Sequence, residues 1–157
     1  MDTTETQGNS AVSPLAARSE ERSEPAELPC FRCGVCCTVY QVRIGPAEAR
    51  CIAASMDLDY WDWVGRYCDP RWSDPRSHLI RHDDKGCVFL NYSAAQESLC
   101  RIYAVRPDSC RQWAASAFKP ACQEGLRRCW SLSVDSEGRL LGDSDSLQKF
   151  ERFLAQL

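Results

Sequence analysis

Four cysteines stand within eight residues in the segment CFRCGVCC, as Cys30, Cys33, Cys36 and Cys37 in a C-x2-C-x2-C-C order. No other feature constrains the fold as strongly, because thiols this close must pair, hold metal or be buried together. The chain has eleven cysteines in 157 residues, and an odd number leaves one over from any complete set of internal disulfides. Its first thirty residues lack a basic start followed by an apolar run, and no stretch reaches the roughly 20 apolar residues of a membrane span. We therefore expect a soluble cytoplasmic protein of one domain. Thiols there stay reduced, so a dense cysteine pattern signals metal binding or catalysis.

The spacing narrows the chemistry. Cysteines at two-residue intervals match the consecutive ligands of an iron–sulfur run. In a tetrahedral zinc site the sulfurs lie ~2.3 Å from the ion and hence ~3.8 Å apart, which crowds three ligands drawn from one short segment. A cubane spreads them over separate irons. Adjacent side chains of an extended segment point to opposite faces, so one of Cys36 and Cys37 is expected to face a different metal or the core. Farther along, Cys87, Cys100, Cys110, Cys122 and Cys129 are enough for a fourth cluster ligand and for a second site. Cys51 and Cys68 fall in helix-like segments and read as buried packing.

Charge divides the chain. Residues 1–28 hold Asp2, Glu5, Glu20, Glu21, Glu24 and Glu27 against Arg18 and Arg22, a net of −4, and the whole chain is −3. That head is nearly free of large apolar groups, so burial cannot offset its ordering entropy and it is expected to be disordered. The metal-binding domain is then residues 29–157. Its near-neutral balance lacks the basic stripe of a nucleic-acid binder, so neither nucleic acid nor membrane is an expected partner.

Within that domain TVYQVRI alternates from Val39 to Ile44 like a short strand. PAEARCIAASM opens with a proline suited to a first helical turn. DYWDWVGRYC follows as a helix capped by Asp59. HLIRHDDKGCVFLNY reads as a hairpin turning at Asp83 to Gly86, and SAAQES as a loop. LCRIYAVRPDSCRQW reads as two helical turns broken at Pro107. PACQEGLRRCW is a helix with Cys122 and Cys129 two turns apart on one face. SDSLQKFERFLAQL closes the chain as an amphipathic helix. The expected class is α+β: a small cysteine-rich domain with a short hairpin and several short helices, stabilised by metal, since a structural site can supply on the order of 10 kcal/mol.

On CFRCGVCC, GCVFL and CRIYAVRPDSCRQW, over roughly residues 30–115, the chain resembles the cysteine-cluster family named for its C-x2-C-x2-C-C motif and associated with chelation of zinc or iron. The resemblance implies metal ligands among Cys30, Cys33, Cys36, Cys37, Cys87, Cys100 and Cys110, with Cys122 and Cys129 as possible additions. It implies an iron–sulfur cluster or zinc as cofactor. Arg106 and Arg111 of RPDSCR are the arginines best placed to offset thiolate charge by hydrogen bonding. Arg32, Arg101, Arg127 and Arg128 also lie near cysteines, and Asp108 would cap the Cys110 turn or hold an arginine.

His78 and His82 offer a zinc alternative, while the five tryptophans read as structural cover, with Trp113 and Trp130 as lids. Three functions follow from these residues. The first is a metal-binding protein, iron–sulfur favoured over zinc, acting in metal handling, electron transfer or as an accessory module. The second is a zinc-stabilised interaction module. The third is a cluster-dependent enzyme, since flagellin lysine methylases are similar over the same motif, although this chain is much shorter and GRLLGD is too weak for a nucleotide loop. No Ser-His-Asp set or acid–base carboxylate pair is legible, so no catalytic residue is expected.

Overall fold

The computed structural model describes residues 28–95 and 97–157. The cysteine run enters a one-turn helix, α1 (Val35–Val39), preceded by Gly34 in a left-handed conformation. The Thr38 hydroxyl donates to the Val35 carbonyl at 2.9 Å, tying the turn to itself. A two-residue strand, β1 (Arg43–Ile44), leads into α2 (Pro46–Ser55), where Pro46 occupies the first turn and costs no hydrogen bond. Asp59 caps α3 (Tyr60–Tyr67), its carboxylate accepting from the Trp61 and Asp62 N–H groups.

Four antiparallel ladders, each of two strands, fill the centre and end of the described chain. β1 pairs with β2 (His78–Leu79), and β3 (His82–Asp83) pairs with β4 (Gly86–Cys87) across the Asp84–Lys85 turn. β5 (Leu90–Tyr92) pairs with β6 (Ser98–Cys100), placing Leu90 opposite Cys100. After a 3-10 turn at Tyr103–Val105 come α4 (Asp108–Arg111) and α5 (Pro120–Trp130). β7 (Ser133–Val134) and β8 (Leu140–Leu141) form a hairpin, and α6 (Ser144–Leu154), capped by Asp143, closes the chain.

Apolar burial falls into two groups. The first joins Ile44, Ala49, Ile52, Trp63, Cys68, Ile80, Phe89 and Ile102, from α2, α3 and the strands around them. The second joins Phe31, Ala115, Cys122, Leu126, Leu132 and Phe150, from the approach to α1, from α5 and the segments on either side of it, and from α6. Helix α1 packs on both β4 and α5.

This is the expected α+β domain of short helices and ladders, with local differences. Val39 ends α1 instead of opening a strand, and the strand is only Arg43–Ile44, because Gly34 and Thr38 close a helical turn over the cysteines. The expected hairpin turns where predicted but is cut to two-residue arms, since its outer segments pair elsewhere, β2 with β1 and β5 with β6. The first of the two expected turns before Pro107 starts later, behind β6, and the β7–β8 hairpin was not anticipated. The acidic head expected to be disordered lies outside the described residues except for Leu28, which packs on the second apolar group.

Candidate metal centre

All eleven cysteines are free thiols. Glycines on both sides bring the neighbours onto the cysteine segment. A Cβ at Gly86 would lie 2.7 Å from Thr38 Cα and 2.8 Å from the Cys37 carbonyl oxygen, so only glycine lets the β3–β4 turn touch α1. A Cβ at Gly125 would lie 2.8 Å from Cys33 Cβ and closer still to its Sγ, so α5 meets Cys33 through the gap in its own surface.

Successive residues of a helix are turned by about 100°. Cys36 and Cys37 therefore leave α1 in directions about 100° apart, yet their Sγ atoms stay 3.9 Å from each other. They stand on a helical step and not on the extended segment from which opposite facing was expected. The hydrogen bond between them draws Cys36 down to about 7, with Lys119 adding to the effect, and pushes Cys37 up. Burial is the next cause for Cys37, followed by the charges of Cys36, Cys87 and Cys110.

The other thiols sort by neighbour. Cys110 is pushed up to about 11, first by burial and then by Cys87, Cys100 and Cys36. Cys87 is raised by burial and by Cys100. Cys33 is pushed up to about 11 by burial, opposed by the Val35 N–H, with Cys36, Cys129 and Cys122 adding to the rise. Cys122 is raised by burial and by Cys36 and Cys30. Nine of the eleven cysteines are thus linked as neighbours, each to at least one other, about the two that α1 carries. Of the remaining two, Cys68 is buried as expected, and burial pushes it up to about 11. Cys51 is exposed, contrary to expectation, because α2 turns Ala49, Ile52 and Ala53 inward and leaves it on the outer face.

Among the described residues, no three Cys, His, Asp or Glu side chains stand together as a formed ion site; the fold assembles thiol-bearing segments. Three observations suit a metal. The donors are soft thiols, preferred by zinc and iron–sulfur clusters. Their burial opposes the bare thiolate, which a bound cation would compensate. Finally, among the described residues three buried nitrogens lack a hydrogen-bond partner: His82 Nε2, Arg106 Nε and Trp130 Nε1. Such orphans are rare and ask for an acceptor.

Two of those orphans adjoin thiols. His82 stands directly across from Cys87 in the ladder, where opposed side chains share a face. Arg106 lowers Cys110 by its charge and lies 3.9 Å from the Tyr103 ring centre. The third, Trp130, follows Cys129 on α5 and packs edge-on to Phe150 at 5.1 Å.

Several expected roles are filled otherwise. Arg111 is held by Asp108 at 2.5 Å, so Asp108 serves as an arginine partner, while Pro107 stands at the head of α4. Arg127 pairs with Glu124 at 2.7 Å and Arg101 donates to the Val88 carbonyl. His78 meets the Tyr60 hydroxyl at 2.6 Å. Trp113 stacks near Tyr40 and beneath Lys119, the cation that favours the Cys36 thiolate. Sequence reasoning missed Lys119 and Gly125; the signal for Gly125, a glycine inside an otherwise good helix, was present.

A family model described as a "putative zinc- or iron-chelating domain", with the motif CxxCxxCC, matches residues 29–130. No curated protein and no solved structure matches the chain.

Proposed function

Because the chain belongs to the CxxCxxCC family of zinc- or iron-chelating domains, we propose that its thiols hold an iron–sulfur centre in preference to zinc, serving metal handling, electron transfer or an accessory role. The observation that carries the preference is the run Cys30, Cys33, Cys36, followed by distant cysteines brought to it by α5 and the β4 region. Consecutive ligands with a remote fourth are the arrangement of a cubane.

Cys30, Cys33, Cys36, Cys37, Cys87, Cys100 and Cys110 are the ligands we assign, with Cys122 in addition and Cys129 beside them. Arg106 is the cation placed to stabilise the thiolates. Free thiols throughout accord with a reducing, cytoplasmic setting. Among the described residues no helix is long and apolar enough to cross a membrane. The alternative reading is a zinc-stabilised interaction module, in which Trp61, 71% exposed on α3, would be a candidate contact.

The deciding experiment is elemental analysis of anaerobically purified protein for iron, zinc and acid-labile sulfide. Iron with matching sulfide is expected. Zinc without sulfide would reverse the preference, and neither metal would overturn the assignment.

A further inference from the structure

We propose that the cysteines form two separate four-thiolate centres flanking α1, one of Cys37, Cys87, Cys100 and Cys110 and the other of Cys30, Cys33, Cys36 and Cys122. This rests on the metal-binding reading above and divides it.

Helix α1 touches two different elements, β4 and α5. The helical step sets the Cys36 and Cys37 side chains about 100° apart, which lets each serve a different one of these neighbours. On the β4 flank, Cys87 lies in β4 itself and Cys100 ends β6, and both pack on the first apolar group. Cys110, in α4, has Cys87 and Cys100 as its first thiol neighbours, with Cys36 of the adjoining helix after them. On the α5 flank, Cys33 lies against Gly125, while Cys33 and Cys122 pack on the second apolar group. Cys30 and Cys36 are the further neighbours of Cys122. Cys87 and Cys100 thus share one apolar wall and Cys33 and Cys122 another.

Count and charge agree with the division. Four thiolates complete the coordination of a structural zinc or of a cubane, and eight divide evenly, leaving the exposed Cys129 as a spare. Four thiolates around a zinc ion leave two negative charges in excess, so each centre needs donors. The orphaned Arg106 and His82 stand by Cys110 and Cys87 on the first set.

The competing arrangement is a single ion at the seam, because the 3.9 Å between the Cys36 and Cys37 sulfurs is close to the ~3.8 Å that separates two ligands of one zinc. Stoichiometry separates the two. Cobalt(II) added to the reduced, metal-free full chain should give tetrathiolate absorption that saturates at two equivalents. A single-equivalent endpoint overturns the division and leaves the metal-binding reading intact. Absence of any thiolate absorption, together with purified protein free of iron and zinc, sinks the underlying reading instead.

Variants then locate the centres. Cys122→Ala and Cys100→Ala should each keep half of the wild-type metal, the double variant none, and Cys129→Ala all of it. If either single variant loses all metal while its circular dichroism stays that of the wild type, there is one centre. Should the single variants fail to fold, the wild-type endpoint alone decides.

Discussion

The two apolar groups are built differently. The first is drawn from consecutive elements between Val42 and Val105 and is anchored by Trp63, fully buried, with the Phe89 ring stacked 6.2 Å from it and Tyr67 4.9 Å from Phe89. The second joins the two ends of the described chain: Phe31 meets Phe150 edge-on at 5.5 Å, with Leu126 and Leu132 beneath. Sequence-local contacts need little loop closure, whereas contacts across more than a hundred residues need much more. The family match covers the first group entirely but ends at residue 130, before β7, β8 and α6, which complete the second. The lesson is that the α5 flank of the cysteine segment relies for its backing on the part of the chain beyond that match.

The largest effects should come from the two anchors. Trp63→Ala and Phe150→Ala should each cost about 3–5 kcal/mol by urea unfolding, the usual range for removing a buried aromatic ring. Phe150→Ala should also loosen metal held near Cys33 and Cys122 while sparing metal near Cys87. Equal metal loss from both variants would mean that the groups do not support separate flanks.

Gly125→Ala tests the α5 flank directly. Its added methyl meets Cys33 Cβ and Sγ, an overpacking expected to cost about 1–3 kcal/mol and to lower metal content. Unchanged stability and metal would show that α5 does not need this approach.

The helix caps compare the regions again on a smaller scale. Asp59→Ala ahead of α3 removes a carboxylate that accepts from the Trp61 and Asp62 N–H groups, and Asp143→Ala ahead of α6 one that accepts from the Ser146 N–H; each should cost about 1 kcal/mol in thermal or urea unfolding. A null result at Asp143 alone would mark α6 as frayed.

The smallest effect depends on pH. Hydrogen bonds from Arg71 hold the Asp69 carboxyl at about 2, below its ordinary 3.8. A depressed carboxyl contributes stability that is fully present above the unfolded value and lost as pH falls through the folded one. Asp69→Asn should therefore melt below wild type at pH 7, with the gap closing from roughly pH 4 toward 2. A gap that stays constant down to pH 2 would assign the effect to packing.

Much of the helical framework was legible, because its signals are local. Pro46, Asp59 and Pro120 mark helix starts that the fold respects. The ladders were less so: two-residue arms are too short for alternation to set a period, and their partners are chosen by the tertiary fold. At α1 the β-branched residues after Cys37 suggested a strand, whereas contact with β4 and α5 favours a helical turn. The cysteine run and its remote partners were legible as a set. Their sorting was not, since it depends on which flank of one short helix each thiol meets. Cys51 shows the same limit: it lies in the expected helix, but only packing decides which face is inward.

Helix α1 carries cysteines from the beginning of the domain, yet its neighbours are encoded far downstream, Cys122 following Cys36 by 86 residues. At a synthesis rate of roughly 5–20 residues per second, that interval is about 4–17 s. Throughout it the first thiols are already made while the last side of their enclosure is still to come. A ribosome reaching α5 is thus the event that ends their exposure, and oxidant or stray metal has its opportunity in the seconds before.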